Sequence, residues 1–170
     1  MEKGKRTILG TQRGVYNGLD MADEFLKLSK EDEHAGIVLY EQGLYNQSAY
    51  FYIQAMEKYI KGFICKRVDI NNDFYSSKFR EIGHSLDLSI KFFILILTGN
   101  NELLKNHLEK QIKENIFCNI KFSGLYNAIR YPFYKNNIYK ITKLSKEDCY
   151  KLYKIHCSLK KYIDELQLKM

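Results

Sequence analysis

The segment around Arg130 holds the residue types that recognise phosphate and stack on bases. Arg130 is followed by Tyr131, Tyr134 and Lys135. A guanidinium can hold a phosphate through two parallel hydrogen bonds, and tyrosine rings stack on bases in proteins that bind single strands. We therefore expect a phosphate-binding site at these four residues. The alternative for Arg130 is an ion pair inside the fold with a carboxylate such as that of Glu57.

A second group of polar side chains has helical spacing. Gln54, Lys58 and Lys61 lie at i, i+4 and i+7, and Glu57 precedes Lys61 by four residues, which is the spacing of a favourable ion pair. This face could meet Arg130 across the fold and help to cradle a phosphate. The competing interpretation is a solvated face with one ion pair. We favour it for Lys58 and Lys61, whereas Gln54 and Glu57 fit both.

The histidines offer few candidates for acid–base chemistry. His84 lies just before an apolar segment. It is either a catalytic acid or base, or a helix-entry residue whose ring bonds the backbone or Asp87, and we favour the second. His156 falls on the apolar seam of the last helix, which predicts a core or interface histidine. No Cys/His group has the spacing of a zinc site, so we predict neither a metal nor a cofactor.

Composition sets the class of protein. The chain has 170 residues, one proline and 45% hydrophobic residues, which predicts one folded domain free to form long helices. The formal net charge of +7 permits a polyanionic partner without requiring one. The first residues are charged and lead into no apolar run, and the longest apolar run, at positions 92–97, is far shorter than a membrane span. We therefore expect a soluble cytoplasmic protein with reduced thiols and no membrane association.

Helical periodicity and breakers divide the chain. We predict a mobile basic arm over residues 1–18 and one bundle domain over residues 19–170. A first helix begins near Asp20 and ends at Gly43, and Asn46 then caps a second helix. The polar segment from Val68 to Gly83 is predicted to be a loop. The predicted central helix runs from about residue 85 to residue 97, a fourth helix covers positions 104–116, and residues 117–140 are predicted to be irregular.

The last helix has the clearest pattern. Ser145 to Asp148 resembles a capping box with Asp in place of Glu. Apolar or small residues then follow steps of three and four: Cys149, Leu152, His156, Leu159, Ile163, Leu166 and Met170. Such a seam predicts either a core face or a dimer interface. The whole pattern predicts an all-α, up-and-down bundle of about five helices.

Four stretches in order resemble the HEPN (higher eukaryotes and prokaryotes nucleotide-binding) family. They are the hairpin turn at residues 39–50, the segment Gln-Ala-Met-Glu-Lys-Tyr-Ile-Lys at 54–61, the Gly-His-Ser-Leu at 83–86, and the Ala-Ile-Arg-Tyr-Pro at 128–132 that precedes the last helix. The resemblance covers about residues 20–168. It implies a helical bundle that usually dimerises and acts on, or binds, RNA or nucleotides. Members include ribonuclease toxins and partners of small nucleotidyltransferases.

The resemblance also locates the expected chemistry. Ribonuclease members use an Arg followed four to six residues later by a His, but positions 135–137 hold Lys, Asn and Asn. A lysine is mostly protonated at neutral pH and is a poor base. The variant in which a tyrosine accepts a nucleotidyl group also fails, since Tyr139 has the wrong spacing. We therefore lean towards a protein that is not an enzyme.

Three functions remain open from the sequence. The first is a non-catalytic or atypical HEPN-like protein, a homodimer of the toxin–antitoxin or defence type, that binds a nucleotide, RNA or a nucleotidyltransferase partner at Arg130. The second is a metal-independent ribonuclease toxin with a displaced base, for which His84 and Arg130 are the catalytic candidates. The third is a structural helical interaction module.

Overall fold

The computed structural model describes residues 10, 14 and 18–168. These form seven α-helices, a π-helical turn and one β-hairpin, in this order: α1 (Gly18–Glu41), α2 (Tyr45–Arg67), α3 (Asp73–Ile82), α4 (Leu86–Thr98), α5 (Glu102–Gln111), the π-helical turn (Ile112–Ile116), α6 (Phe122–Ala128), β1 (Phe133–Lys135), β2 (Ile138–Lys140) and α7 (Lys146–Leu168). The prediction of an all-α bundle is confirmed. The predicted arm over residues 1–18 lies almost wholly outside the described residues.

The turn between α1 and α2 makes them antiparallel neighbours, as predicted. Gly43 has φ +74°, which favours glycine, and its N–H donates to Tyr40 O while Leu44 N donates to Leu39 O. The two helices approach closely, since a Cβ on Gly36 would lie 2.7 Å from the ring of Tyr52. Their pairing presents one long face of α2 to the remaining helices.

The core lies around α2, with α4 and α7 packed against it. The predicted α2 stripe is confirmed, because Ala49, Ile53, Met56 and Ile60 are all fully buried. The described seam of α7 is also buried within this chain from Cys149 to Ile163. Its alternative role as an exposed dimer interface is therefore wrong for these positions.

Local capping explains where α7 begins. Ser145 N donates to Asp148 Oδ2 at 3.0 Å, and Asp148 N donates to Ser145 Oγ at 3.1 Å. Each side chain thus satisfies a backbone N–H of the other residue, and the predicted capping box is confirmed.

The predicted loop from Val68 to Gly83 is wrong over most of its length, because α3 occupies it. Asn72 caps this helix by accepting a hydrogen bond from Phe74 N at 3.0 Å. Ile82 is the one fully buried residue of α3. A helix that buries so little has no clear apolar stripe, which is why periodicity did not predict it.

Residues 117–140 contain more structure than the sequence predicted. A π-helical turn replaces the end of the expected fourth helix, and α6 and the β-hairpin follow. In the hairpin, Tyr134 pairs with Tyr139, and the turn residues Asn136 and Asn137 have φ of +53° and +59°. Asparagine tolerates that conformation better than most residues, so these two positions fit a two-residue hairpin turn.

No helix in the described part of the chain is long and apolar enough to cross a membrane. The four cysteines are free thiols, with Cys65 and Cys149 buried and Cys118 exposed.

Candidate functional site

Arg130 sits in a turn that follows α6. The N–H groups of Arg130 and Tyr131 both donate to Asn127 O at 3.1 Å, which closes the helix, and Pro132 prevents its continuation. The buried Ile129 anchors the turn to the core. The backbone therefore fixes the root of the Arg130 side chain, while the residue as a whole remains exposed.

Three tyrosine rings surround the guanidinium. Its central carbon lies 4.8 Å from the ring centroid of Tyr126, 4.8 Å from that of Tyr131 and 5.2 Å from that of Tyr50. Nη2 also donates a hydrogen bond to the Tyr131 hydroxyl at 2.9 Å. Cation–π attraction of this kind contributes about 0.5–1 kcal/mol at exposed sites. The aromatic rings hold the cation in place without neutralising its charge.

The inner two rings form a rigid base. Tyr50 of α2 and Tyr126 of α6 stack with centroids 5.4 Å apart. Burial, together with hydrogen bonding to Tyr50, raises the pKa of Tyr126 to about 12, although the positive charge of Arg130 acts to lower it. Tyr126 is therefore neutral at physiological pH. Neither tyrosine was predicted as a site residue: Tyr50 is 80 positions from Arg130, and Tyr126 precedes the segment from Arg130 to Lys135 on which the prediction was based.

Asn46 ties this region to α2. Its Nδ2 donates to Ile129 O and Thr142 O, and its Oδ1 accepts from Leu144 N at 2.9 Å. The prediction that Asn46 caps α2 is wrong, since Leu44 occupies that position. Its side chain instead joins both ends of the segment that contains the β-hairpin.

Beside Arg130 is an open cleft of about 350 Å³. Seven residues line it: Asn46, Gln47, Tyr50, Phe51, Ile129, Arg130 and Tyr131. Arg130 is the only charged residue among them, so the electrostatic character of the cleft is positive. We call this the Arg130 cleft.

Glu57 does not pair with Arg130, which makes that alternative wrong. The buried carboxylate accepts hydrogen bonds from Lys61 Nζ at 2.7 Å and from Gln54 Nε2 at 3.2 Å. Lys61 Nζ also donates to Gly83 O. No ion pair joins Arg130 to a carboxylate within residues 18–168.

The predicted helix face is divided between two locations. Gln54, Glu57 and Lys61 form the buried cluster, whereas Lys58 pairs with Asp32 of α1. The prediction that Lys61 belongs to a solvated face is wrong, because its side chain is only 7% exposed. None of the four residues lines the Arg130 cleft.

His84 borders the buried cluster. Its ring is 78% exposed, and Nδ1 lies 3.5 Å from Glu57 Oε1. The favoured partners, the backbone or Asp87, are not observed: within the described residues no hydrogen bond joins them to the His84 ring, and Asp87 Oδ2 accepts from Ser123 N. Tyr50, beside Arg130, and Glu57, beside His84, are seven residues apart on α2, which is about 10 Å along the helix axis. The two candidate catalytic residues therefore do not share one cleft.

The other two predicted site residues lie in the β-hairpin. Tyr134 is exposed, and its hydroxyl donates to Asn137 Oδ1 at 3.2 Å, while its ring lies 5.1 Å from that of Tyr139. Lys135 pairs with Ile138 through the backbone, and its side chain lies outside what the structure describes. Tyr134 does not line the Arg130 cleft.

His156 occupies a core position, as predicted. Its fully buried ring places Nε2 3.3 Å from Glu33 Oε2, and Lys160 Nζ reaches the same oxygen at 2.7 Å. The contact with His156, aided by Lys160, outweighs burial and lowers the pKa of Glu33 to about 2. Glu33, which interrupts the apolar stripe of α1, is thus the charged partner of two α7 residues.

Comparison with known proteins identified no relative of this chain. The chain matches no protein-family model, no curated protein and no solved structure.

Proposed function

We propose that this chain is a non-catalytic, HEPN-like protein that binds RNA or a nucleotide at the Arg130 cleft. The observation that carries the proposal is the state of Arg130: an exposed residue whose guanidinium is held by three tyrosine rings and has no carboxylate partner in the described chain. One Nη2 N–H is used by the Tyr131 hydroxyl, and the remaining N–H donors of the guanidinium have no carboxylate to bind, so they can contact a phosphate.

The β-hairpin next to the cleft supports a single strand as the ligand. The segment 130–143 contains four cations, Arg130, Lys135, Lys140 and Lys143, and no acidic residue. It also exposes the rings of Tyr131, Tyr134 and Tyr139. Exposed aromatic rings among cations are what a sequence-tolerant single-strand surface requires, because bases stack while cations follow the backbone.

The residues that line the cleft favour binding over cleavage. RNA cleavage without a metal needs a base for the 2′-hydroxyl close to the cation that contacts the phosphate. The described residues that line the cleft provide amides, apolar groups, tyrosines and one arginine, with no histidine or carboxylate among them. As a family-based part of the proposal, the protein dimerises and meets a small nucleotidyltransferase, in a toxin–antitoxin or defence setting.

A ribonuclease with a displaced base is the second candidate, and one contact favours it. Glu57 lies 3.5 Å from Nδ1 of the exposed His84, so the carboxylate can orient the ring and leave Nε2 facing solvent. His84 is not among the described residues that line the Arg130 cleft, so this activity requires a substrate that extends beyond the cleft to reach both residues.

Binding is tested with a fluorescently labelled single-stranded RNA, by anisotropy over a range of salt concentrations. We expect Arg130→Ala to weaken binding roughly tenfold to hundredfold, the equivalent of about 1.5–3 kcal/mol for hydrogen bonds to a charged group. The salt slope should fall by about 0.7 if one phosphate contact is lost. The matched control is Arg80→Ala, which removes an equally exposed arginine from α3.

The same preparations are incubated with RNA in EDTA. If the wild type cleaves RNA and both His84→Ala and Arg130→Ala lose that activity, the ribonuclease candidate replaces the proposal of non-catalytic binding. Equal RNA affinity of wild type, Arg80→Ala and Arg130→Ala would refute the Arg130 site. Absence of both cleavage and salt-dependent binding would favour a structural interaction module.

A further inference from the structure

A second, larger cleft lies between α4, the π-helical turn and the start of α6. It has a volume of about 630 Å³ and shares no lining residue with the Arg130 cleft. Clefts that hold small molecules typically span about 300–1,000 Å³. We call it the α4 groove.

The floor of the groove is apolar. Ile90 and Ile94 of α4 face Ile112 and Phe117 across it, and all four are buried. Leu88 stands at the rim and is 44% exposed. The α4 lining runs from position 85 to position 94, which is about 13 Å. The groove therefore offers an elongated apolar surface.

The rim is cationic. Lys91, Lys113 and Lys121 are exposed, and none has an ion pair or side-chain hydrogen bond within residues 18–168. Two acids also line the groove. Asp87 and Glu109 offset two of the three lysine charges, so the net formal charge of the lining is +1. Asp87 already accepts a hydrogen bond from Ser123 N at 2.8 Å. The rim thus complements one negative group.

One wall has an unusual backbone. Phe117 N donates to Ile112 O at 2.8 Å, five residues back, as in a π-helix, and Cys118 and Asn119 follow with φ of +49° and +60°. π-Helical turns occur frequently at functional sites, and positive φ at two successive non-glycine residues is costly. This geometry places Lys113 and Phe117 together on the groove.

We propose that the α4 groove binds a medium-chain fatty acid. Its alkyl chain covers the isoleucine floor and its carboxylate meets the lysines of the rim. The hydrogen bond from Ser123 N to Asp87 Oδ2 joins α6 to α4 beside the groove. The elongated apolar floor suits a linear alkyl chain, and the net formal charge of +1 on the lining suits a single carboxylate.

Dodecanoate, below its critical micelle concentration, is titrated into the full chain in a calorimeter, with dodecanol as the neutral comparison. Leu88→Glu places a charge at the rim, and Lys113→Glu combined with Lys121→Glu reverses the charge of the head-group site. Both are expected to weaken dodecanoate binding by about tenfold or more, the equivalent of about 1.4 kcal/mol. Leu103→Glu and Lys110→Glu are matched controls, because both residues are exposed and outside the groove.

Circular dichroism and unchanged RNA affinity establish that the groove variants fold. The proposal is overturned if dodecanoate does not bind, if both groove variants bind it as tightly as the controls do, or if dodecanol binds equally well. It is also overturned if the chain sediments with vesicles of anionic lipid and the groove variants abolish that association while free dodecanoate shows no binding.

Discussion

The Arg130 guanidinium lies over the ring of Tyr126, four residues earlier in the chain, with 4.8 Å between the guanidinium carbon and the ring centroid. Tyr126 in turn stacks on Tyr50 of α2. The cation of the proposed site is therefore positioned by a helix in the core as well as by its own turn.

Tyr126→Leu is expected to weaken RNA binding about twofold to fivefold, because it removes a cation–π contact of about 0.5–1 kcal/mol. Tyr126→Phe keeps the ring and should change affinity much less. Anisotropy of labelled RNA measures both. In the Arg130→Ala background, Tyr126→Leu should not weaken RNA binding further, because the guanidinium that Tyr126 positions is already absent. Additive losses in the double variant would contradict this coupling.

The Tyr139→Ser variant tests the contribution of the β-hairpin to RNA binding separately from that of the Arg130 cleft. Tyr139 is the most exposed ring of the hairpin, at 72%, and packs only against Tyr134 among the rings of the described residues. Loss of one base stack is worth about 1–3 kcal/mol, so binding of an RNA oligonucleotide should weaken roughly fivefold to hundredfold.

Binding of a mononucleotide should be unchanged in Tyr139→Ser, because the Arg130 cleft is intact. The control is Tyr150→Ser, which removes an exposed tyrosine from α7. Equal loss for both ligands would mean that the hairpin acts only through the stability of the fold.

Short-range sequence patterns correctly predicted two features of the fold: the buried stripe of α2 and the capping box at the start of α7. The α2 stripe from Ala49 to Ile60 and the capping box of Ser145 and Asp148 depend on residues within a few turns. Burial and hydrogen bonding confirm both. Short-range periodicity sufficed because the helices bury one continuous face.

The candidate site was only partly predictable, because its neighbours come from distant positions. Arg130 was identified by its residue type and its sequence context, but Tyr50 is 80 positions away. The i, i+4 spacing predicted that Glu57 can pair with Lys61, but the sequence alone does not decide between Lys61 and Arg130 as its partner. That choice depends on where α6 ends relative to α2, which long-range packing determines.

Glu57→Ala is expected to destabilise the protein by about 3–5 kcal/mol, because it leaves the buried Lys61 cation without its carboxylate. Urea unfolding measures the free energy. Glu57→Leu combined with Lys61→Met should recover much of the loss, since the uncompensated charge is gone. As a control, Glu81→Ala breaks the exposed pair with Lys78 and should cost no more than about 1 kcal/mol. A small effect at both positions would show that the buried pair is weakly coupled.

Glu33 should make the stability of the α1–α7 contact depend on acid pH. Contact with His156 and Lys160 lowers its pKa in the folded chain to about 2 from an ordinary value of 4.5. Because the folded pKa is the lower one, the contribution is complete above about pH 4.5 and is lost as pH falls towards 2. Because solvent screens this partly exposed carboxylate, its size is on the order of 1–2 kcal/mol, less than the full shift would give.

Glu33→Gln should therefore be less stable than wild type at pH 6, with the two converging as pH falls towards 2. Urea unfolding at several pH values measures this difference. Lys160→Met removes the Lys160 cation, so the pKa of Glu33 should rise and the loss of stability should begin at higher pH. Glu31→Gln alters an exposed carboxylate on the same helix and should follow wild type. A constant gap between wild type and Glu33→Gln across the acid range would mean that the Glu33 carboxylate gains no proton-linked stability from its α7 partners.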